Sequence, residues 1–204
     1  MMTLTTWGYS EDGTLSDFIT ETEFNAYTAS KYTGDARIAS NIKSATAAIR
    51  NYCGWHVFPS LPCELAVTFF DRRVSEARGG ILIQLPARFV TGITSITIDG
   101  ENCDRYTLDS NGLLKVYGVK PHAEYTPIVV EYTAGLPGEL MDAIKEMTAQ
   151  RVTHALASSY GITSEAAGGV SVTYNAAWAR DTGSTSLSEA DKELLAPYRI
   201  GGVF

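Results

Sequence analysis

The sequence predicts an α+β fold: a small antiparallel helical core of three to four helices, an antiparallel β-rich insertion, and extended N- and C-terminal arms. Three observations carry that prediction. Ile38, Ile42, Ala45, Ile49 and Tyr52 recur at intervals of three and four, the spacing of one helix face, until Gly54 stops the run. Residues 62–133 switch to short β-branched segments separated by turn residues, with no helical stretch between them, which argues against a parallel α/β sheet. Residues 1–19 are polar and mixed, and Gly168-Gly169 followed by alternating Val170, Val172 and Tyr174 suggests a flexible bend leading to an extended arm.

Taken in order, residues 1–19 read as an N-terminal arm with a turn at Glu11-Asp12-Gly13. Thr20-x-x-Glu23 has the spacing of a capping box, in which each side chain satisfies a backbone donor of the other, and it opens a short first helix with Phe24 and Tyr27 on one face. The helical core then comprises residues 20–61 and 134–160, and residues 62–133 form the β-rich insertion. Strands are expected at 65–70, 81–85, 93–98, 106–108, 113–117 and 128–132, with Asp99-Gly100 and Asn111-Gly112 as hairpin turns.

Pro137 suits the first turn of a third helix, whose Leu140, Ile144, Met147, Arg151 and Ala155 mark one stripe as far as about Ser158. The other face carries Glu139, Asp142, Lys145 and Glu146, with Asp142 within reach of Lys145. Residues 161–204 read as a C-terminal arm: Gly168-Gly169 bends into the alternating Val170, Val172 and Tyr174, and Ser186-x-x-Glu189 caps a short terminal helix that Pro197 ends.

Composition narrows the function. Sixteen basic against twenty-three acidic residues give a net charge of -7, which argues against avid nucleic-acid binding, and no run of one sign suggests a membrane tether. No apolar run approaches the roughly 20 residues of a spanning helix, and the N-terminus lacks a signal-peptide pattern, so a cytoplasmic product without a membrane partner is expected. Cys53, Cys63 and Cys103 stand far apart with only His56, His122 and His154 for company, so buried free thiols are expected and no metal site.

The spacings that nucleophilic, phosphate-binding or metal chemistry requires are absent, and neither a catalytic residue nor a cofactor is expected. Glu64 with Asp71, Glu131 with His122, and His154 beside Ser158-Ser159 are acid-base candidates only by type, and read more simply as solvated or packed side chains. Trp55, Phe58, Phe69 and Phe70 suit a core better than a sugar or base platform. Arg72, Arg73 and Arg78 form a basic cluster too weak for phosphate recognition. A carbohydrate-binding or hydrolase β-domain using Trp55, Phe69, Glu64 or Asp71 is the alternative from another class.

Three stretches carry a family likeness. The first is the helix from Ile42 through Tyr52-Cys53-Gly54-Trp55. The second is the strand, turn and helix start Val129 through Tyr132-Thr133-Ala134-Gly135-Leu136-Pro137 to Ile144. The third is Ser171 to Tyr174 followed by Leu194-Leu195-Ala196-Pro197-Tyr198-Arg199. In this order they resemble the head-to-tail connector family of tailed phages, the adaptor or head completion proteins.

That resemblance implies a non-enzymatic subunit of the virion neck, made in the host cytoplasm and assembled as a homo-oligomeric ring of about twelve copies. The ring would sit under the portal protein, with the next neck or tail protein, a stopper or tail terminator, below it. DNA would pass through without specific binding, since about twelve copies of a -7 subunit repel phosphate. Another neck or tail-completion ring protein is the near alternative. The expected contacts with portal or neighbour lie in the C-terminal arm, at Val170, Val172, Tyr174, Trp178, Leu194, Leu195, Tyr198 and Arg199.

Overall fold

The structure, a computed structural model, describes residues 2–119, 125–157, 164–167, 170–173 and 185–200. The chain divides into two compact units. A helical unit takes the described residues of Asp17–Tyr52 and Glu139–Pro197, and a β unit takes those up to Ser16, from Cys53 to Gly138, and from Tyr198 onward.

In the helical unit the sequence periodicity becomes burial. Helix α1 (Glu21–Tyr27) opens with the capping box expected of Thr20 and Glu23, both halves of which are formed. Helix α2 (Ile38–Cys53) buries Ile38, Ile42 and Ala45 against Phe24 of α1 and against Ala149, Val152 and Leu156 of α3 (Asp142–Ala157), and its Ile49 is 0% exposed. Gly54 ends α2 at φ +80°, a left-handed conformation that a residue with a Cβ resists. Phe18 and Ile19, expected in a polar arm, are instead core residues, and Arg50 lies over the Phe18 ring at 4.9 Å.

The third helix starts later than Pro137 suggests. A 3-10 turn at Gly138–Leu140 precedes α3 and leaves Leu140 exposed, while Ile144, Met147, Arg151 and Ala155 of the expected stripe are buried. Lys145 reaches Glu23 of α1 at 2.7 Å, not Asp142 as the local spacing suggested. A charge three residues away on the same helix loses to one that the fold brings alongside.

Residues 164–173 contain a two-stranded antiparallel hairpin, β11 (Ser164–Ala167) with β12 (Val170–Thr173). Helix α4 (Glu189–Leu195) follows, with a 3-10 turn at Ala196–Tyr198 that accommodates Pro197. Its cap differs from the expected one: Ser188 pairs reciprocally with Asp191, two residues beyond Ser186 and Glu189. Both registers fit the capping rule, and tertiary burial of Asp191 selects between them.

The β unit holds two antiparallel sheets, and every strand pair in it is antiparallel as expected. The six-stranded sheet has the order β1 (Thr3–Leu4), β2 (Ser10–Glu11), β3 (Leu61–Thr68), β10 (Pro127–Ala134), β6 (Val90–Ile98), β7 (Glu101–Asn102). The four-stranded sheet runs β4 (Val74–Ala77), β5 (Gly80–Gln84), β9 (Leu113–Tyr117), β8 (Tyr106–Leu108). Alternation sorts the faces: Leu65, Ile96, Val130 and Tyr132 are buried, while Glu64, Ser95, Thr97 and Glu131 meet solvent.

Asp99 and Gly100 take φ values of +53° and +82°, the geometry of the tight hairpin that their types predict. Gly80 is fixed by a different constraint, since a Cβ there would lie 1.8 Å from the Val116 carbonyl oxygen of the paired strand. The N-terminal stretch is not a free arm in this unit. Strands β1 and β2 pair with each other, β2 pairs with β3, and Tyr9 is 1% exposed.

Candidate assembly surfaces

The predicted site residues do not gather in one place. Val170 and Val172 lie on β12, whereas Tyr174 and Trp178 lie outside the described residues. Leu194 on α4 is 66% exposed, and its neighbour Leu195 is 0% exposed. Arg199 is exposed and Tyr198 half-buried in the β unit.

The end of the chain is clamped in each unit by its own contacts. Within the helical unit the Tyr52 hydroxyl donates to the Lys192 carbonyl at 3.0 Å, and Arg151 meets Asp191 at 3.2 Å with both side chains under a tenth exposed. Within the β unit the Trp55 indole N–H donates to the Tyr198 carbonyl at 2.8 Å, and the Ile200 amide donates to the Cys53 carbonyl at 3.0 Å. Trp55 is 0% exposed and stacks on Phe89, so it fills the core and forms no ligand platform. Phe58 and Phe69 are half-buried, and Phe70, 62% exposed, pairs at 6.5 Å with Tyr125.

His56 is taken up by structure. Its Nε2 lies 2.9 Å from the Ala134 carbonyl, which can only accept, so that nitrogen carries the proton and Nδ1 accepts from the Tyr9 hydroxyl at 2.7 Å. The same hydroxyl accepts from the His56 amide at 3.1 Å, which pins the N-terminal strands to the α2 exit. The sequence held no signal for this pair, because the partners stand 47 residues apart.

The three cysteines are free, and burial pushes the thiols of Cys53 and Cys63 up to about 12. Only Cys103 is half-exposed. A thiol reagent at neutral pH is therefore expected to modify one cysteine per folded chain and three after denaturation; rapid reaction of all three in the native state would contradict the burial. Among the described residues no three His, Cys, Asp or Glu side chains gather as metal ligands.

The acid-base candidates disperse as well. Asp71 is held by Arg73 through three contacts of 2.9 Å, to its backbone amide, Nε and a terminal nitrogen. Arg73 also donates to the Gly8 carbonyl at 3.1 Å, while Arg72 and Arg78 are exposed. Glu131 accepts from Ser95 at 2.8 Å, and its supposed partner His122 lies outside the described residues. His154 lines a shallow groove with Tyr27, Thr28, Glu146 and Gln150, and its supposed partners Ser158 and Ser159 lie outside the described residues.

The Arg73 guanidinium, by hydrogen bonding to Asp71, holds that carboxyl below the usual carboxylate range. A depressed folded-state value means stability that is present above the ordinary Asp range and lost as the pH falls through the folded value. Asp71→Asn should cost about 1 kcal/mol at neutral pH and should narrow the gap to the unsubstituted protein on acidification. Urea midpoints measured at several pH values test this, and a gap that widens in acid would contradict it.

The described residues form an α+β subunit in which His56, Asp71 and Glu131 are each engaged by other groups of the same protein. The chain belongs to the head completion protein family, whose model matches residues 17–200. It is thus a phage structural component with a role in completing the head, and a constituent of the virion. No curated protein matches it. Among the described residues, no helix is long and apolar enough to cross a membrane.

Proposed function

We propose that the protein is the adaptor of the phage neck: a ring of about twelve copies that binds under the portal, completes the DNA channel and receives the next neck or tail protein. The observation that carries this reading is the family match across residues 17–200, which takes in both units. The role is one of binding and shape, without catalysis. The net charge of -7 per subunit suits a channel through which a duplex slides, since like charge lowers the residence of phosphate on the wall.

The contact with portal or neighbour is assigned to the C-terminal region, through Val170, Val172, Tyr174, Trp178, Leu194, Leu195, Tyr198 and Arg199. The pair β11–β12 supports this, because among the described residues it has no third strand, and two strands are marginal in water and gain from another. Against the rival hydrolase or carbohydrate-binding reading stand the places of its residues: Trp55 is in the core, Asp71 is bound to Arg73, and Glu64 is on the outer sheet face.

The test is to mix the full chain with purified portal rings and examine the product by gradient sedimentation and electron microscopy. A ring of added density on one face of the portal is expected. Portal rings that sediment unchanged and show no added density would refute the adaptor reading.

A further inference from the structure

The outer face of the six-stranded sheet has an unusual centre. Pairing registers place Ser10, Glu64, Glu131 and Ser95 in one row across β2, β3, β10 and β6, so two carboxylates stand directly opposite each other on adjacent strands. Like charges in that position destabilise a sheet unless something positive covers them. Their neighbours on the same face are short and uncharged: Ala66, Val129 and Thr97 flank one side of the row, and Pro62, Thr133 and Gly92 the other. All of these side chains are exposed or half-exposed, so no described residue buries the face.

A complementary surface exists on the same polypeptide. Helix α2 has no acidic residue among its 16, and the exposed residues Ala39, Ser40, Ser44 and Ala47 surround an exposed Lys43. The other cation of that helix, Arg50, is buried over Phe18, which leaves Lys43 as the charge that α2 offers outward. Lengths also agree: 16 helical residues span about 24 Å, and the eight residues of β3 or β10 span about 26 Å.

We propose that the outer face of β3, β10 and β6 is a docking surface for a second copy of this chain, whose helix α2 lies on it with Lys43 between Glu64 and Glu131. Short uncharged side chains around the charged centre of both surfaces leave room for the helix to lie on the sheet, and the cation relieves the opposed carboxylates. The contact is heterologous, one surface meeting a different one, which is the kind that a ring requires. It rests on the ring reading given above and names the interface that closes the ring.

The test uses four full-length chains: the unsubstituted protein, Lys43→Glu, Glu64→Lys with Glu131→Lys, and a chain carrying all three changes. Each is followed by sedimentation velocity over a concentration series, alone and with portal rings, after thermal melting has shown that it is folded. The two partial variants should need at least about tenfold more protein to associate, because each sets like charges against each other, and the combined chain should recover.

Unchanged association in both partial variants would overturn this interface and leave the ring intact. Loss in both without recovery in the combined chain would overturn the Lys43 pairing. If the unsubstituted protein stayed monomeric at every concentration, with portal as without, both the ring reading and this interface would fall together.

Discussion

Replacing Arg151 with alanine is expected to destabilise the helical unit by about 3–5 kcal/mol, because it leaves the Asp191 carboxylate buried without its cation. Arg151 and Asp191 are 8% and 7% exposed, so water cannot take over the lost contact. Asp191 also accepts from the Ser188 amide and hydroxyl at 2.7 and 2.8 Å, which makes the same carboxylate both the cap of α4 and its tie to α3. Arg151 donates further to the Ser186 carbonyl at 3.4 Å, so the approach to the helix is held too. Hydrogen exchange should show α4 amides losing protection before those of α2. The double variant Arg151→Ala with Asp191→Asn should recover part of the loss. A cost under about 1 kcal/mol would mean that the pair behaves as a solvated surface contact.

Trp55→Ala should cost the β unit a comparable amount, about 3–5 kcal/mol, through the cavity left by the largest fully buried side chain among the described residues. The indole stacks on Phe89 at 6.5 Å, meets the His56 ring edge-on at 5.4 Å, and donates to Tyr198. Trp55→Phe separates these contributions. It keeps most of the apolar area and loses the donor, leaving the Tyr198 carbonyl short of a partner at a cost of about 1–3 kcal/mol. Urea unfolding of both variants is the measurement, with the alanine change the more severe. Equal costs would assign the whole effect to the hydrogen bond.

Both results bear on assembly, because these contacts hold the start and finish of the final segment, residues 188–200, in the folded subunit. A C-terminal region fixed in this way presents Leu194 and Arg199 outward while spending Leu195 on the core. Loosening either clamp should therefore weaken portal binding as well as stability in the proposed adaptor.

What the residues disclosed, and what they did not, follows from the range of the forces involved. Helix α2 was legible because its apolar repeat and its Gly54 stop are local, and the Thr20 cap for the same reason. The α4 cap was misread because Ser186-Leu187-Ser188-Glu189-Ala190-Asp191 contains two overlapping serine-to-acid spacings, and the choice is made by Arg151, 40 residues upstream of Asp191.

Strand β4 went unseen since four residues, Val74–Ala77, are too few to show a period, and the same holds for the two-residue strands β1, β2 and β7. The burial of Tyr9 follows from His56, a partner that no local pattern announces. On the outer sheet face, Glu64 and Glu131 each looked like an ordinary solvent-side strand residue. Only the pairing register sets them opposite each other.

The most direct test of the adaptor role is complementation. A phage stock in which the gene for this chain is interrupted should yield DNA-filled heads and separate tails, and adding the purified protein to that lysate should join them into infectious particles. Heads and tails that join equally well without the protein would contradict the account.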